Sequence, residues 1–379
     1  SFRETAYPAS PEADQIVLTW CDDPATTQAI QWRTDTSVDK MTIRYRSKES
    51  DKQEFSEAPA SQQLLSDKYI HNNPVVKHWE VNITGLQPDN EYSYQIYNSD
   101  SGKESPVYTF RTAPGEKSSF SFIHLGDTHN DDIVETVLKQ AVKEVPDAAF
   151  LVHSGDHVNT GLFRDLWDKY LHSGRDVFPR FSFVPTLGNH DSQDGLPPTL
   201  YTQLFMLPKD NACSLSPERN YAFSYGDARF FMIDATGDIE KIACWLEEEL
   251  RQTKEKWKIV VTHFPPYVED NSYLEIRRSW CSLFDQYHVD LVLSGHVHQY
   301  FRSYPINNGE VVTDAKNGTI YLSSVVVEPR KPEPPSEKYN EVYANKGGLF
   351  QVIRIDNNTL DFISKRFDGT IIDQFSLKK

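Results

Sequence analysis

Two patterns of hydrophobic and polar residues divide the chain. Up to about residue 115, short segments alternate apolar and polar positions and are rich in β-branched and aromatic residues, which is typical of half-buried strands. Turn sequences such as TGLQPDN at 84–90 separate these segments, which span 15–20, 29–34, 41–46, 78–84, 91–98 and 106–112. Six short strands in succession predict an all-β sandwich over residues 1–115. Residues 112–119 would form the linker that follows it.

The second pattern covers residues 116–379 and alternates strands with helices. Residues 131–145 and 242–253 carry apolar side chains at helical spacing. Continuous apolar segments, typical of buried strands, occur at 120–125, 148–153, 181–187, 229–234, 258–263 and 289–295. This alternation predicts an α/β domain in which helices flank central β-sheets. The last part, 318–379, returns to strands without clear helices.

Composition narrows the class of protein. The 379 residues favour two domains, and 38% hydrophobic with 12% aromatic residues is the composition of a folded protein. No segment approaches the roughly eighteen consecutive apolar residues that a membrane span needs. The formal charge of -16 argues against binding to nucleic acid, because a polyanion is repelled where no basic surface compensates. An anionic substrate would therefore require a strong local cation, such as a metal ion.

Residue types that bind metals follow five of the predicted strands directly. Each motif alone is also compatible with a polar turn, since Gly, Asp and Asn favour turns. Together they favour a ligand site, because ligands bind at the carboxyl ends of strands in open α/β sheets. The motifs GDTHN, SGDHVNTG, GNHD, THFPP and SGHVHQ supply the candidates Asp127, His129, Asp156, Asn189, His190, Asp191, His263, His296 and His298.

The donor types indicate which metals the site would bind. Two aspartates, one asparagine and four histidines form an oxygen and nitrogen donor set suited to Mn, Fe, Zn or Co. No cysteine belongs to the set, which disfavours a structural zinc site. Seven candidate ligands exceed what one ion needs, so we expect two divalent ions that share a bridging ligand.

The five motifs, in this order across 126–298, resemble those of the calcineurin-like metallophosphoesterase superfamily. The LTW and TGLQPDNEYSY sequences of the first region further resemble the fibronectin-III-like first domain of purple acid phosphatases, and NYAFSYGDARFFMIDA at 220–235 resembles their second domain. The resemblance implies that Asp156 bridges the ions. One ion would take Asp127, His129 and His298, and the other Asn189, His263 and His296.

The resemblance also implies roles in substrate binding. His190 would contact the phosphoryl oxygens or the leaving group, together with Asn189, and Asp191 would orient His190. One position departs from purple acid phosphatases, which have a ferric-iron ligand tyrosine three residues after the bridging aspartate, where this chain has Asn159. Their first motif also lacks the counterpart of His129. Both differences predict a two-metal site that needs no ferric ion and has little colour.

The expected activity is hydrolysis of phosphate esters by a hydroxide that bridges the two ions and attacks phosphorus in line. A phosphomonoesterase acting on a small phosphorylated substrate is the first hypothesis. A phosphodiesterase or nucleotide hydrolase would use the same site, and a catalytically silent binding or adhesion module is the alternative of another class. Specificity is expected from segments 162–180, 192–205 and 328–348, the last of which is compatible with a lid or with a solvated loop.

The cysteines indicate how disulfides could form, and the domain layout indicates where in or outside the cell the protein is found. Four cysteines are too few for a disulfide scaffold, and Cys21 is expected to be a free thiol. Cys213, Cys244 and Cys281 are compatible with one bridge or with buried free thiols. Enzymes with this two-domain layout are mostly exported, which predicts an extracellular or periplasmic protein whose leader has been removed. The sequence does not determine the oligomeric state.

Overall fold

Two four-stranded antiparallel sheets form the first part of the protein. The computed structural model describes residues 1–379 apart from 52–53, 116–117, 194, 210–214, 269–270 and 330–337. The sheets have the strand orders β1-β2-β6-β5 and β4-β3-β7-β8, and they pack around a core that includes Trp32 and Trp79. Their strands are β1 (Asp14–Thr19), β2 (Gln28–Thr34), β3 (Met41–Ser47), β4 (Ser56–Pro59), β5 (Ser61–Ser66), β6 (Val75–Ile83), β7 (Glu91–Asn98) and β8 (Tyr108–Arg111).

Two larger sheets form the second part. One has the order β11-β10-β9-β21-β22-β23 and the other β12-β13-β14-β15-β19-β16-β20, and β17 and β18 form a separate pair. The strands are β9 (Phe120–Leu125), β10 (Phe150–His153), β11 (Ser182–Pro185), β12 (Tyr221–Tyr225), β13 (Ala228–Ile233), β14 (Trp257–Thr262), β15 (Leu291–Ser294), β16 (Tyr300–Ser303), β17 (Ile306–Asn307), β18 (Glu310–Val311), β19 (Ile320–Ser323), β20 (Asn340–Ala344), β21 (Leu349–Asp356), β22 (Thr359–Arg366) and β23 (Ile371–Lys378).

The two larger sheets face each other through aromatic side chains. The rings of Phe122 and Phe150 lie 5.1 and 5.2 Å from that of Phe230 on the opposite sheet. Helices cover the outer faces, which confirms the predicted class of an all-β sandwich followed by an α/β domain of sheets flanked by helices. They are α1 (Val134–Glu144), α2 (Arg164–Ser173), α3 (Asn189–Ser192), α4 (Thr199–Leu204), α5 (Ile239–Gln252), α6 (Leu274–Ile276) and α7 (Ser282–Gln286), with a π-helical turn at Arg277–Cys281 between the last two.

Strand direction brings the candidate motifs together. β9, β10 and β11 are parallel neighbours, as are β13, β14, β15 and β19. Their carboxyl ends therefore lie along one edge of each sheet, where the loops after β9, β10, β11, β14 and β15 carry the five motifs. Among the described residues, no helix combines the length and the hydrophobicity needed to cross a membrane.

Segment 162–180, expected to shape the substrate site, instead forms α2 and packs on the first sandwich. Asp168 of α2 accepts hydrogen bonds from Thr5 at 2.8 Å and Gln15 at 2.9 Å, and pairs with Arg33 at 3.1 Å. The side chains of Arg33 and Asp168 are each only 2% exposed. A buried carboxylate thus ties the two parts of the protein together. The loop at 328–348 lies partly outside the described residues.

Candidate metal centre

Asp156 lies at the middle of the candidate site. One of its carboxylate oxygens is 3.1 Å from Nε2 of His263 and 3.3 Å from Nε2 of His129. The other accepts the backbone N–H of His190 at 2.9 Å. Asp156 is therefore flanked on both sides by imidazoles that come from different strand ends, as a bridging ligand would be.

The remaining candidates gather on either side of Asp156. The carboxylate of Asp127 is 3.4 Å from Nε2 of His298, which is itself 3.1 Å from Nε2 of His129. On the other side, Oδ1 of Asn189 lies 3.1 Å from Nε2 of His263. Three groups of side chains are close enough to hold an ion: Asp127, His129 and His298; Asp156, His263 and His296; and His129, Asp156 and His190. The chemistry of this donor set fits a dinuclear metal site.

The backbone at the ligand positions adopts an uncommon conformation. Asp127, His129, Asp156, His296 and His298 have φ angles of 52°, 43°, 57°, 72° and 54°. This left-handed region is disfavoured for residues other than glycine and costs on the order of 1 kcal/mol or more at each position. Such residues cluster at functional sites, where the surrounding structure holds them in place.

Two glycines allow the aspartates to approach. A Cβ atom on Gly295 would lie 1.9 Å from Oδ2 of Asp127, and one on Gly188 would lie 2.1 Å from Oδ1 of Asp156. Any side chain at these positions would displace the carboxylate. The glycine of each motif is therefore needed for the geometry of the site and not for a turn alone.

Backbone carbonyls orient two of the imidazoles. Nδ1 of His263 donates to the carbonyl of Ser154 at 2.8 Å, and Nδ1 of His190 donates to the carbonyl of Asn159 at 2.8 Å. With the proton held on Nδ1, Nε2 of each neutral ring keeps its lone pair. For His263 this lone pair points to the site centre, as a metal ligand requires.

The structure corrects the expected role of Asp191. No hydrogen bond among the described residues joins its carboxylate to the imidazole of His190. Its oxygens accept instead the backbone N–H groups of Asp156, His157 and Gly188, each at 2.9 Å, and the ring of His157 at 2.8 Å. Asp191 therefore holds the loop that carries Asp156, and the carbonyl of Asn159 orients His190.

A hydrogen-bond network behind the ligands was not predicted. Nδ1 of His153 accepts the N–H of Gly155 at 3.1 Å, so Nε2 carries the proton and donates to the hydroxyl of Thr128 at 3.1 Å. That hydroxyl donates to the carbonyl of His157 at 2.8 Å. The network joins the loops of the first two motifs. The sequence held a weak signal for it, since His153 and His157 flank the Gly-Asp motif.

The carboxylates and imidazoles shift one another's protonation. Burial would raise the pKa of Asp127, but hydrogen bonds from His129 and His298 lower this pKa to about 2. Burial would lower the pKa of His129, but hydrogen bonds to Asp127 and Asp156 raise it to about 10. Burial likewise opposes a charged His263, while Asp156 raises the pKa of this ring to about 9. Without metal, the site thus holds protons where cations would bind.

A cavity of about 380 Å³ borders the site. It lies beside Asn189 and His190, the two residues expected to contact substrate, and α3 carries both. Its other described lining residues are Ser192, Gln193, Gly195, Leu196, Arg219, Thr236 and Phe264. The cavity is large enough for the leaving group of a small phosphate ester.

The described cysteines are unpaired. Cys21 is a free thiol, as expected, and so are Cys244 and Cys281. Burial raises the pKa of Cys281 to about 12, which makes its thiol unreactive. Cys213 lies outside the described residues.

Comparison with known proteins divides the chain into the same two parts as the fold. Residues 120–300 match the family model for calcineurin-like phosphoesterases, and residues 13–112 match the model for the purple acid phosphatase N-terminal domain. A purple acid phosphatase, PPD1 from yellow lupin seeds, superimposes with a TM-score of 0.83 at 17% identity, over 98% of this chain and 75% of the lupin chain. This likeness shows that the two share a fold.

Curated relatives are similar in sequence. A phosphoenolpyruvate phosphatase of Allium cepa is 29% identical over 62% of this chain and 52% of its own length. A probable purple acid phosphatase 20 of Arabidopsis thaliana is 26% identical over 71% of this chain and 67% of its own length. The alignments thus span between half and two thirds of these relatives. The chain joins a purple acid phosphatase N-terminal domain to a calcineurin-like metallophosphoesterase domain.

Proposed function

We propose that the protein is a phosphomonoesterase that depends on two divalent metal ions. The observation that carries the proposal is the convergence of Asp156 and six further oxygen and nitrogen donors, beside His190 and an open cavity. Relatives with detectable sequence similarity include proteins named as phosphatases, which supports this class of reaction.

The side chains divide between the two ions as follows. Asp127, His129 and His298 would hold one ion, Asn189, His263 and His296 would hold the other, and Asp156 would be shared between them. When bound, two such ions activate a water molecule and neutralise the phosphoryl oxygens. Fe, Mn, Zn and Co all suit these donors.

His190 acts on the leaving group. Its Nδ1–H donates to the carbonyl of Asn159, which directs Nε2 away from that loop. When the ring is protonated, Nε2–H donates a proton to the departing oxygen or stabilises its charge. The neighbouring amide of Asn189 orients the phosphoryl group. The ring of His190 packs edge-on against His129 with centroids 4.7 Å apart, so the proton donor lies at the metal ligands.

The substrate is a small phosphate monoester. A cavity of about 380 Å³ accommodates a compact leaving group. The onion relative is named for phosphoenolpyruvate, which is a small monoester and supports this size class. A phosphodiesterase remains the second hypothesis, because the same ligands serve both reactions.

Metal content and two substrates test the proposal together. We expect about two metal ions per chain by mass spectrometry and hydrolysis of p-nitrophenyl phosphate in preference to bis-p-nitrophenyl phosphate. Asp156→Asn should lose both metal and activity, whereas Asp132→Asn, on an exposed side chain paired with Lys169, should keep both. The reverse preference would make the protein a diesterase. Hydrolysis of neither ester with any divalent metal would refute the enzyme and favour a binding module.

We further propose that the protein is exported. The resemblance of its two-domain layout to exported phosphatases supports this. Fractionation of the source cells with an antibody should find the protein outside the cytoplasm, and a cytoplasmic signal alone would contradict the proposal.

A further inference from the structure

One positively charged side chain lines the cavity beside His190, although the protein as a whole is strongly acidic. The net charge of the chain is -16, and Arg219 is the one permanently charged cation among the described residues that line the cavity. The cavity begins at Asn189 and His190, where a phosphate ester would be cleaved. The leaving group of an ester cleaved beside His190 would therefore enter a cavity that is lined by the guanidinium of Arg219.

Arg219 is held in a fixed position. Its Nε donates to Oδ2 of Asp234 at 2.7 Å, and a terminal nitrogen contacts the same oxygen at 2.6 Å. Asp234 is fully buried, and its other oxygen accepts the N–H of Thr236 at 2.9 Å and the hydroxyl of Thr236 at 2.5 Å. A guanidinium has five N–H donors, and the side chain of Arg219 is still 22% exposed. Asp234 thus anchors one edge of the group while other donors remain available to a ligand.

The other walls of the cavity suit an organic leaving group. Leu196 is 50% exposed, and Phe264 stacks on Tyr273 with ring centroids 4.8 Å apart. Gln193 has a buried side-chain oxygen with no hydrogen-bond partner among the described residues and a φ of 55°. A buried acceptor of this kind is normally satisfied, so it suits a hydroxyl or N–H group of a ligand. Apolar surface, one acceptor and one cation therefore surround the space.

We propose that this cavity binds the leaving group of the substrate and that Arg219 recognises a second anionic group on it, a carboxylate or a phosphate. The guanidinium fork matches the geometry of both groups, and hydrogen bonds between charged partners are about twice as strong as neutral ones. The preferred substrates are then phosphate monoesters whose leaving group carries its own negative charge. The inference rests on the proposed function and adds a substrate class to it.

Two esters of nearly equal shape test the inference. 4-Carboxyphenyl phosphate and 4-nitrophenyl phosphate differ in the charge of the para group, so we expect the wild type to have a KM about tenfold lower for the carboxylate. Arg219→Gln should raise the KM for the carboxylate ester about tenfold and change that for the nitro ester less than twofold. 4-Phosphonophenyl phosphate, measured in parallel, distinguishes a preference for carboxylate from one for phosphate.

A purely structural role for Arg219 predicts a different result. Arg219→Gln leaves Asp234 buried without its partner, so the double variant Arg219→Gln/Asp234→Asn, which removes both charges, is measured as well. Arg251→Gln, on an exposed residue of α5, is the control for loss of a positive charge. Equal KM values for the two esters in the wild type, or an equal rise for both in the variants, would overturn the inference.

Calorimetry separates this inference from the proposed function. Binding of the two esters to the metal-free protein is measured without turnover. About tenfold tighter binding of the carboxylate ester that is lost in both Arg219 variants supports the subsite even if neither ester is hydrolysed. Equal binding of the two esters overturns the subsite even if both are hydrolysed, and the proposed function then still stands.

Discussion

Replacing Asp191 by asparagine tests whether this carboxylate holds the loop of the bridging ligand. One of its oxygens accepts three donors: the N–H groups of Asp156 and Gly188 and the ring of His157. The other accepts the N–H groups of His157 at 2.9 Å and Val158 at 3.4 Å. Asparagine has a single acceptor oxygen, so in either orientation its NH₂ group faces at least two backbone donors.

The magnitude follows from these stranded donors. Asp191 is fully buried, so water cannot replace the lost partner. A buried donor without a partner costs about 1–3 kcal/mol, and two of them predict a local loss of about 3 kcal/mol. Because tenfold corresponds to about 1.4 kcal/mol, amide exchange in the loop should accelerate roughly a hundredfold. Metal affinity should fall about 10- to 100-fold, as it does when a group that supports a ligand is removed.

Hydrogen exchange by mass spectrometry is the suitable assay, because a chain with two domains does not unfold in a single step. The peptides that span 154–158 and 186–190 report on the loop directly. Asp373→Asn is the matched control, since Asp373 is also a buried carboxylate, pairs with Arg302 at 2.6 Å and lies on β23, at the opposite edge of the sheet from β11. Unchanged exchange in the loop of Asp191→Asn, within about threefold, would refute the reasoning.

Four further predictions concern single positions. His190→Ala should lower turnover of p-nitrophenyl phosphate at least about a hundredfold and leave bound metal, measured by mass spectrometry, nearly unchanged; equal losses would contradict a role on the leaving group. Gly188→Ala should abolish metal binding, because its Cβ would lie 2.1 Å from a carboxylate oxygen of Asp156; normal metal content would show that the loop adapts. Burial lowers the pKa of His78 from 6.5 to about 4, so the unfolded chain binds a proton that the folded protein refuses, and stability should fall by about 3 kcal/mol as the pH drops from 6.5 to 4. His78→Gln should flatten this decline in melting temperatures recorded across that range, and a parallel decline in both proteins would exclude His78 as its cause. Iron-loaded protein should lack the strong visible band of a bound tyrosinate, because Asn159 offers no phenol; such a band in the absorption spectrum would disprove this.

Hydrophobic patterning was sufficient to predict most of the fold. The alternating pattern of β2 and the continuous apolar segment of β9 are both clear in the sequence, and every residue of the two strands is buried. β4 and β5 were missed because they lie at sheet edges with most residues exposed, so selection for apolar side chains is weak there. The helix α2 was missed because its polar residues Arg164 and Asp168 are buried by contacts with the first sandwich, and local sequence does not contain those partners.

The sequence predicted which residues form the candidate site, but it predicted less well which residues hold them in position. Parallel strands place their carboxyl ends at one edge, so motifs that follow them converge whatever the loops do. The role of Asp191 was assigned wrongly, because four of its five donors come from residues 156–158, more than thirty positions earlier in the chain. The left-handed backbone at His129 and His298 is likewise imposed by the folded loops and leaves no pattern in the sequence.

The buried pair of Arg33 and Asp168 has a consequence for dissecting the molecule. A carboxylate that stays buried without its partner costs about 3–5 kcal/mol, and this cost arises when a module that lacks an equivalent of Arg33 covers Asp168. Cutting the chain at the linker instead exposes Asp168 to water, and it uncovers apolar side chains of the larger fragment that share one cluster with Val17 and Trp20. The larger fragment should therefore be hard to produce alone. In a chimera that exchanges the first sandwich for another β-sandwich, the incoming module has to supply an arginine at the position of Arg33. The second part of the protein is thus expected to depend on this particular N-terminal sandwich for its stability.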